Sequence, residues 1–309
     1  AFFINCVLPH AWHYIPGAYY QRRGAETDFK DIYGRIQPIA DHLHWAGGHW
    51  TSSRNAVGNH SNTGGGHAHT GCMIYMGGNW PEKYRGTLFV GNIHGNRINN
   101  DTLSRKGSSF VASHSDDFLH GNHPWFRTLS QKYGPDGGVF ITDWHDIGEC
   151  HDHDGTHRTS GRIYKITYGD TKHENFDLSK YSNEKLVELQ LHKNEWFVRH
   201  ARRVLYERAS TGKDMKTAND ALLKIFNENS SVPKKLRALW CLNLTGGMDD
   251  EKLAMLLDHE SENVRAWALR LINDDKTVSQ EIITTLKKLA GKEKSSLVRL
   301  HLASQLQRL

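Results

Sequence analysis

A change of period near residue 170 limits what this chain can fold into more than any other feature. Before it lie 24 of the 28 glycines and 16 of the 21 histidines. Glycine at that density marks tight turns between short strands. Beyond residue 183 apolar residues recur at helical spacing: Trp196, Phe197, His200, Val204 and Leu205, then Leu236, Leu239, Trp240, Leu242 and Leu244, then Val264, Trp267, Ala268 and Leu271. Strand and helix periods bury different faces. The chain is therefore expected to be multidomain, β then α, divided as 1–170 and 171–309.

In the first part, Thr87–Val90, Ser109–Ser113, Val139–Thr142 and Arg162–Thr167 read as strands. Each is short, rich in β-branched or aromatic residues and bounded by turn formers. Many short strands with frequent turns suggest a sandwich, barrel or propeller. Residues 36–66 read as a long loop carrying His42, His44, His49, His60 and the run Gly64 to Gly66. In the second part, four helical hairpins are expected: 184–191 with 194–209, 215–228 with 232–245, 249–257 with 261–273, and 278–290 with 295–308. Ser231 with Pro233, Ser261 with Glu262, and Ser295-Ser296 mark helix starts. Each second helix carries an apolar-Arg pair: Val198-Arg199, Leu236-Arg237, Val264-Arg265 and Val298-Arg299. Their recurrence suits a solenoid with variable loops.

Charge and cysteines narrow the function classes. Lys+Arg and Asp+Glu balance at 15 each in 1–170, whereas 171–309 hold 24 against 19. The excess is mild and lies on helices, without the clustered basic stripe that nucleic-acid binding needs. No window approaches the roughly 20 apolar residues of a membrane span. The cysteines Cys6, Cys72, Cys150 and Cys241 form no C-x-x-C, which removes a zinc ribbon and a haem-attachment site from this stretch. The chain starts at Ala1 without a leader pattern, so it reads as a piece of a longer polypeptide.

Histidine spacing points to metal chemistry. His42/His44, His67/His69 and His151/His153 are H-x-H pairs, and positions i and i+2 of a strand share a face. Two imidazoles on one side make half of a transition-metal site. The densest segment, Asp143 to Arg158, holds Asp143, Asp146, Glu149, Cys150, His151, Asp152, His153, Asp154 and His157. Carboxylates favour calcium; imidazole and thiolate favour zinc or another transition metal. The expected ligands are His151 and His153, supported by Asp143 and Asp146. The plain alternative is a hydrated acidic loop held by Arg158 and Arg162. Trp12, Tyr14, Tyr19 and Tyr20 could stack on a sugar or simply pack.

Two resemblances follow. The apolar-Arg pairs make residues 171–309 similar to HEAT repeats, which implies an α-solenoid able to dock a partner. Three stretches in the first part resemble the C-terminal blades of sugar (glucose/sorbosone) dehydrogenase-type β-propellers: His67 to Gly71 leading to Trp80–Arg97, Tyr133–Trp144, and Gly161–Ile166. With Cys150-His151 and the helices that follow, the chain resembles the membrane-bound dehydrogenase-type proteins of planctomycetes. The resemblance implies partial propeller blades and a periplasmic or cell-surface location. It further implies oxidation of a sugar or related alcohol, a divalent metal or pyrroloquinoline quinone as cofactor, and electron transfer to a c-type cytochrome domain outside this stretch. By that resemblance Asn92-Ile-His-Gly-Asn-Arg97 faces a central pocket. His94 would act as base and Arg97 would hold an anion or quinone oxygen, with His67, His69, Asn92, Asn96, Trp144 and Arg158 lining the substrate or cofactor site. The sorbosone-type pattern reads Ser-Trp-Asn-Arg where this chain ends in Asn96-Arg97. The competing expectation is a non-catalytic carbohydrate- or protein-binding propeller on a HEAT-like scaffold for complex assembly.

Overall fold

A computed structural model describes residues 1–4, 11–20, 34–40, 68–148, 153–172, 174–274, 278–306 and 308. The chain divides into two units, Ala1–Lys172 and His173–Leu309. No helix among the described residues is long and apolar enough to cross a membrane.

The first unit is built from antiparallel sheets, none of them closed. β1 (Phe2–Ile4) and β2 (Ala11–His13) form a ribbon. β3 (His69–Ile74), β4 (Leu88–Asn92), β5 (Arg97–Lys106) and β6 (Ser109–His114) form a meander in chain order, and β7 (Leu119–His120) pairs with the start of β5. β8 (Thr128–Tyr133), β9 (Val139–Asp143) and β10 (Arg162–Ile166) form a second meander. Directly opposed residues of antiparallel strands share a face. One face of the first meander therefore carries Ile74, Leu88 and Asp101 in one row, Cys72, Val90 and Asn99 in the next, and His69, Asn92, Arg97 and His120 in the last. Its apolar end packs Leu88, Val90 and Ala112 against Ala11 and Ile39. The opposite face is aromatic: Phe89 stacks on Tyr75 at 5.6 Å and on Phe118 at 4.2 Å.

The two meanders meet through their first strands. The Thr70 hydroxyl donates to Thr128 O at 2.6 Å. A side chain on Gly91 would come within 2.6 Å of Thr70 O and 2.8 Å of the Gln131 amide. Only glycine allows that approach. Tyr75 ties the same seam: its hydroxyl donates to Gly137 O and accepts from Asn79 N and Trp80 N.

The second unit is helical: α1 (Asn183–Glu188), α2 (Glu195–Ser210), α3 (Lys216–Glu228), α4 (Val232–Leu244), α5 (Asp250–Met255), α6 (Glu262–Ile272), α7 (Gln280–Lys292) and α8 (Ser296–Gln305). Ser182, Asn194, Asp249, Ser279 and Ser295 cap helix starts with side-chain bonds to backbone N–H groups. Ser231 and Ser261 stand at helix starts without making that bond. One apolar core runs from Leu178 to Val298.

The apolar member of each apolar-Arg pair is buried. Two of the arginines join hairpins. Arg237 bonds Gln190 O, His192 O and the Glu195 carboxylate of the first hairpin. Arg265 makes a two-pronged bond to Glu293 of the fourth and holds that carboxyl below its ordinary range. Across the second and third hairpins, Trp240 meets Trp267 at 4.7 Å and Phe226 lies near His259 at 6.1 Å, within the shared apolar core.

Candidate functional site

The end of the second meander gathers the chemistry. Register places Thr128 and Arg162 on either side of Asp143, the last residue of β9. Two residues on, His145 turns with φ of 53°. That region is costly for a residue with a Cβ and persists only where the surroundings enforce it. The buried Asp143 carboxylate enforces it. Its Oδ1 accepts from Arg127 N at 2.6 Å and from His145 N at 2.9 Å, and its Oδ2 lies 2.8 Å from His145 Nδ1. Ser160 Oγ donates to His145 O, fastening the turn from the far side.

The imidazole tautomer follows from its partners. Arg162 Nη1 contacts His145 Nε2, and a guanidinium only donates. Nε2 therefore accepts, Nδ1 carries the proton, and Asp143 receives it. The neutral ring is held at both nitrogens. Arg162 Nη1 also reaches the Tyr164 hydroxyl at 3.3 Å.

His145 and Arg162 line an open pocket of about 700 Å³ together with His120, His123, Trp125 and Tyr164. His123 stacks parallel to His145 at 5.4 Å, and Trp125 meets His145 edge-on at 5.7 Å. The wall is mostly apolar and aromatic with a few convergent polar groups, the usual make-up of a small-molecule site.

The sequence-predicted residues fall into three groups. His69, Asn92 and Arg97 are brought into one row, and His94 joins them through Ala68, whose N–H donates to His94 Nδ1 at 3.1 Å. All four are buried, and their groups serve the chain. Asn92 Oδ1 accepts from Gly95 N, Arg97 Nε donates to Gly95 O, and Arg97 Nη1 pairs with Asp117 at 2.8 Å. Asn96, itself at positive φ, donates to Pro124 O and Phe126 O. These residues hold the β4–β5 turn.

Asp143 and Asp146, expected to support a metal, do other work in the structure. Asp143 orients His145, and Asp146 Oδ2 accepts from His157 N. Trp144 is half-buried and does not line the pocket; His153 and Arg158 are exposed. His42, His44, His49, His60, His67, Glu149, Cys150, His151 and Asp152 lie outside the described residues. Among the described residues no group of three or more His, Cys, Asp or Glu is placed to hold a metal ion.

Sequence reasoning missed His123, Trp125, His145 and Tyr164, and took Arg162 only as a countercharge to the acidic loop. The Asp-x-His spacing at a strand end was the available signal for His145. Nothing local marked His123 or Trp125.

The fold and pocket thus define a protein of antiparallel sheets followed by paired helices, with a histidine-, arginine- and tryptophan-lined pocket in its β-unit. A family model described as a domain of unknown function (DUF7133) matches residues 10–170, and the chain belongs to that family. No curated protein matches the chain.

Proposed function

We propose that this chain is part of a periplasmic or cell-surface oxidoreductase of the sugar-dehydrogenase type, and that the His145 pocket receives its sugar or related alcohol. In this reading residues 1–172 carry propeller blades and residues 173–309 a HEAT-like scaffold for a protein or cytochrome partner. Two features of architecture support it: successive meanders packed through their first strands, and helix pairs laced by the second-helix arginines Arg237 and Arg265.

The observation that carries the reading is the Asp143–His145 pair beside Trp125. A sugar presents an apolar C–H face and a rim of hydroxyls. The Trp125 ring offers the first a platform. His145 Nε2, its tautomer set by Asp143, offers the second an acceptor. Once Arg162 releases that nitrogen, it can take the proton of a sugar hydroxyl.

The hydride or electron pair needs an acceptor. Asn92, His94, Asn96 and Arg97 do not fit pyrroloquinoline quinone, because their polar groups already hold the β4–β5 turn. No step is assigned to the quinone. A divalent metal in the Asp143–Arg158 segment would rest on His151 and its neighbours, outside the described residues.

A second reading, a non-catalytic carbohydrate-binding unit on a helical scaffold, is favoured by one contact: Arg162 already occupies Nε2. Calorimetric titration of the chain with neutral monosaccharides, beside a dye-linked oxidation assay, tests both. Saturable binding that Trp125→Ala weakens by roughly tenfold or more, the value of a lost stacking platform, supports the pocket. Turnover with binding favours the enzyme, and binding without turnover favours the module. If neutral and acidic sugars all fail to bind, both readings fall.

A further inference from the structure

The proposed sugar site leaves one guanidinium edge unused. Arg162 spends a single nitrogen on the chain: Nη1 bonds His145 Nε2 and the Tyr164 hydroxyl. Its Nε and Nη2 have no partner among the described residues, and it forms no ion pair there. Those two nitrogens carry the parallel N–H bonds that a carboxylate accepts side-on. Arg162 is exposed on β10, so a solute reaches this edge directly.

Among the described residues that line the pocket, none is acidic. The pocket's other described titratable side chains are His120, His123, His145 and Tyr164. Asp143 is buried behind His145 and receives Arg127 N, His145 N and His145 Nδ1, and Asp117, beside His120, pairs with Arg97. The Asp143 lone pairs are committed away from Arg162. Trp125 and Tyr164 supply ring surface in the same pocket. A ligand that matches all of these features has an apolar face, hydroxyls and one planar anionic group.

We infer that the pocket selects a carboxylate-bearing sugar, such as a uronate or aldonate, with Arg162 Nε and Nη2 gripping the carboxylate. This rests on the sugar-binding reading and narrows it. Arg162 is a specificity residue: as Nη1 gives up His145 Nε2 to a sugar hydroxyl, the Nε and Nη2 edge takes the carboxylate. Lysine would keep the charge and lose the two-pronged grip.

The test is calorimetric titration of the 309-residue chain with glucuronate, glucose and glucose 6-sulfate, repeated on Arg162→Gln and Arg162→Lys. The wild-type chain should bind glucuronate roughly tenfold or more tighter than glucose, the scale of one charge-assisted pair. Arg162→Gln should erase that preference, bringing the two affinities to within about twofold of each other, and Arg162→Lys should retain only part of it. Circular dichroism and melting of both variants confirm the fold, which an exposed edge-strand position should leave intact. Glucose binding equal to or tighter than glucuronate overturns the inference and leaves the sugar reading standing. A preference for the sulfate ester over glucuronate overturns the carboxylate assignment. A preference for glucuronate that survives Arg162→Gln overturns the role of Arg162. Absence of binding by all three sugars overturns the inference together with the reading beneath it.

Discussion

The two units bury different chemistry. Among the described residues, 15 buried polar or charged side chains lie in the β-unit, from His69 to Asp146, against 7 in the helical unit. The helical unit is held by one apolar cluster, where contacts are numerous and individually replaceable. The β-unit is held at its functional end by groups with specific partners, and it carries every described non-glycine residue of positive φ: Asn96, Asn122 and His145. Burying a polar group costs free energy unless it is paired, so removing one partner exposes the full cost of the other. The difference shows where this chain spends stability on geometry rather than on cohesion.

The largest expected effect tests that contrast directly. Asp143→Ala strands two buried backbone N–H groups and the His145 Nδ1 proton, and releases a strained turn. It should cost roughly 3–5 kcal/mol in denaturant melts that follow the β-unit. Leu222→Ala, at a fully buried site in the helical core, should cost about 2–4 kcal/mol, since neighbouring apolar side chains collapse partly into the gap. If Leu222→Ala proves the more damaging, the contrast is broken.

The smallest effect is a pH slope. Burial lowers the His13 pKa from 6.5 to about 4. The folded ring stays neutral where the unfolded chain already takes up a proton. Stability of the β-unit should thus fall as pH drops from 6.5 toward 4 and level off below that. His13 sits between the rings of Phe2 and Phe110, and its Nδ1 has no bonding partner among the described residues. His13→Phe should flatten the slope without lowering the melting temperature at pH 8. An unchanged slope would place the proton uptake elsewhere.

The same contrast explains what could be seen in the sequence. The helix pairs were legible almost to the residue: 232–245 was expected, and α4 spans Val232–Leu244. Apolar spacing decides a helix whose whole face is apolar. Strands Ser109–His114, Val139–Asp143 and Arg162–Ile166 were legible from β-branched and aromatic residues between turn formers. β5 was not, because Asn99, Asn100 and Asp101 have poor strand propensity and stand there for polar burial. At the site, ligand density flagged Asp143 as a chelator and the dehydrogenase resemblance flagged His94 as a base, and neither signal names a side chain's partners. Arg162 stands 17 residues from His145, and only the antiparallel register of β9 and β10 brings it to the ring. His123 and Trp125 arrive from before β8, with no local pattern to announce them.

One seam in the helical unit has a thermal consequence. Polar bonds from Arg237 and Arg265 tie the first hairpin to the second and the third to the fourth, while across the second and third the described contacts are apolar and aromatic, Trp240 on Trp267 and Phe226 near His259 within the shared core. Apolar association weakens as water cools, whereas charge-assisted bonds lack that dependence. Chilling should therefore loosen this junction before the others and turn the four hairpins into two pairs with a soft joint between them. A partner lying along all four would meet a stiffer surface at warm temperature than near freezing.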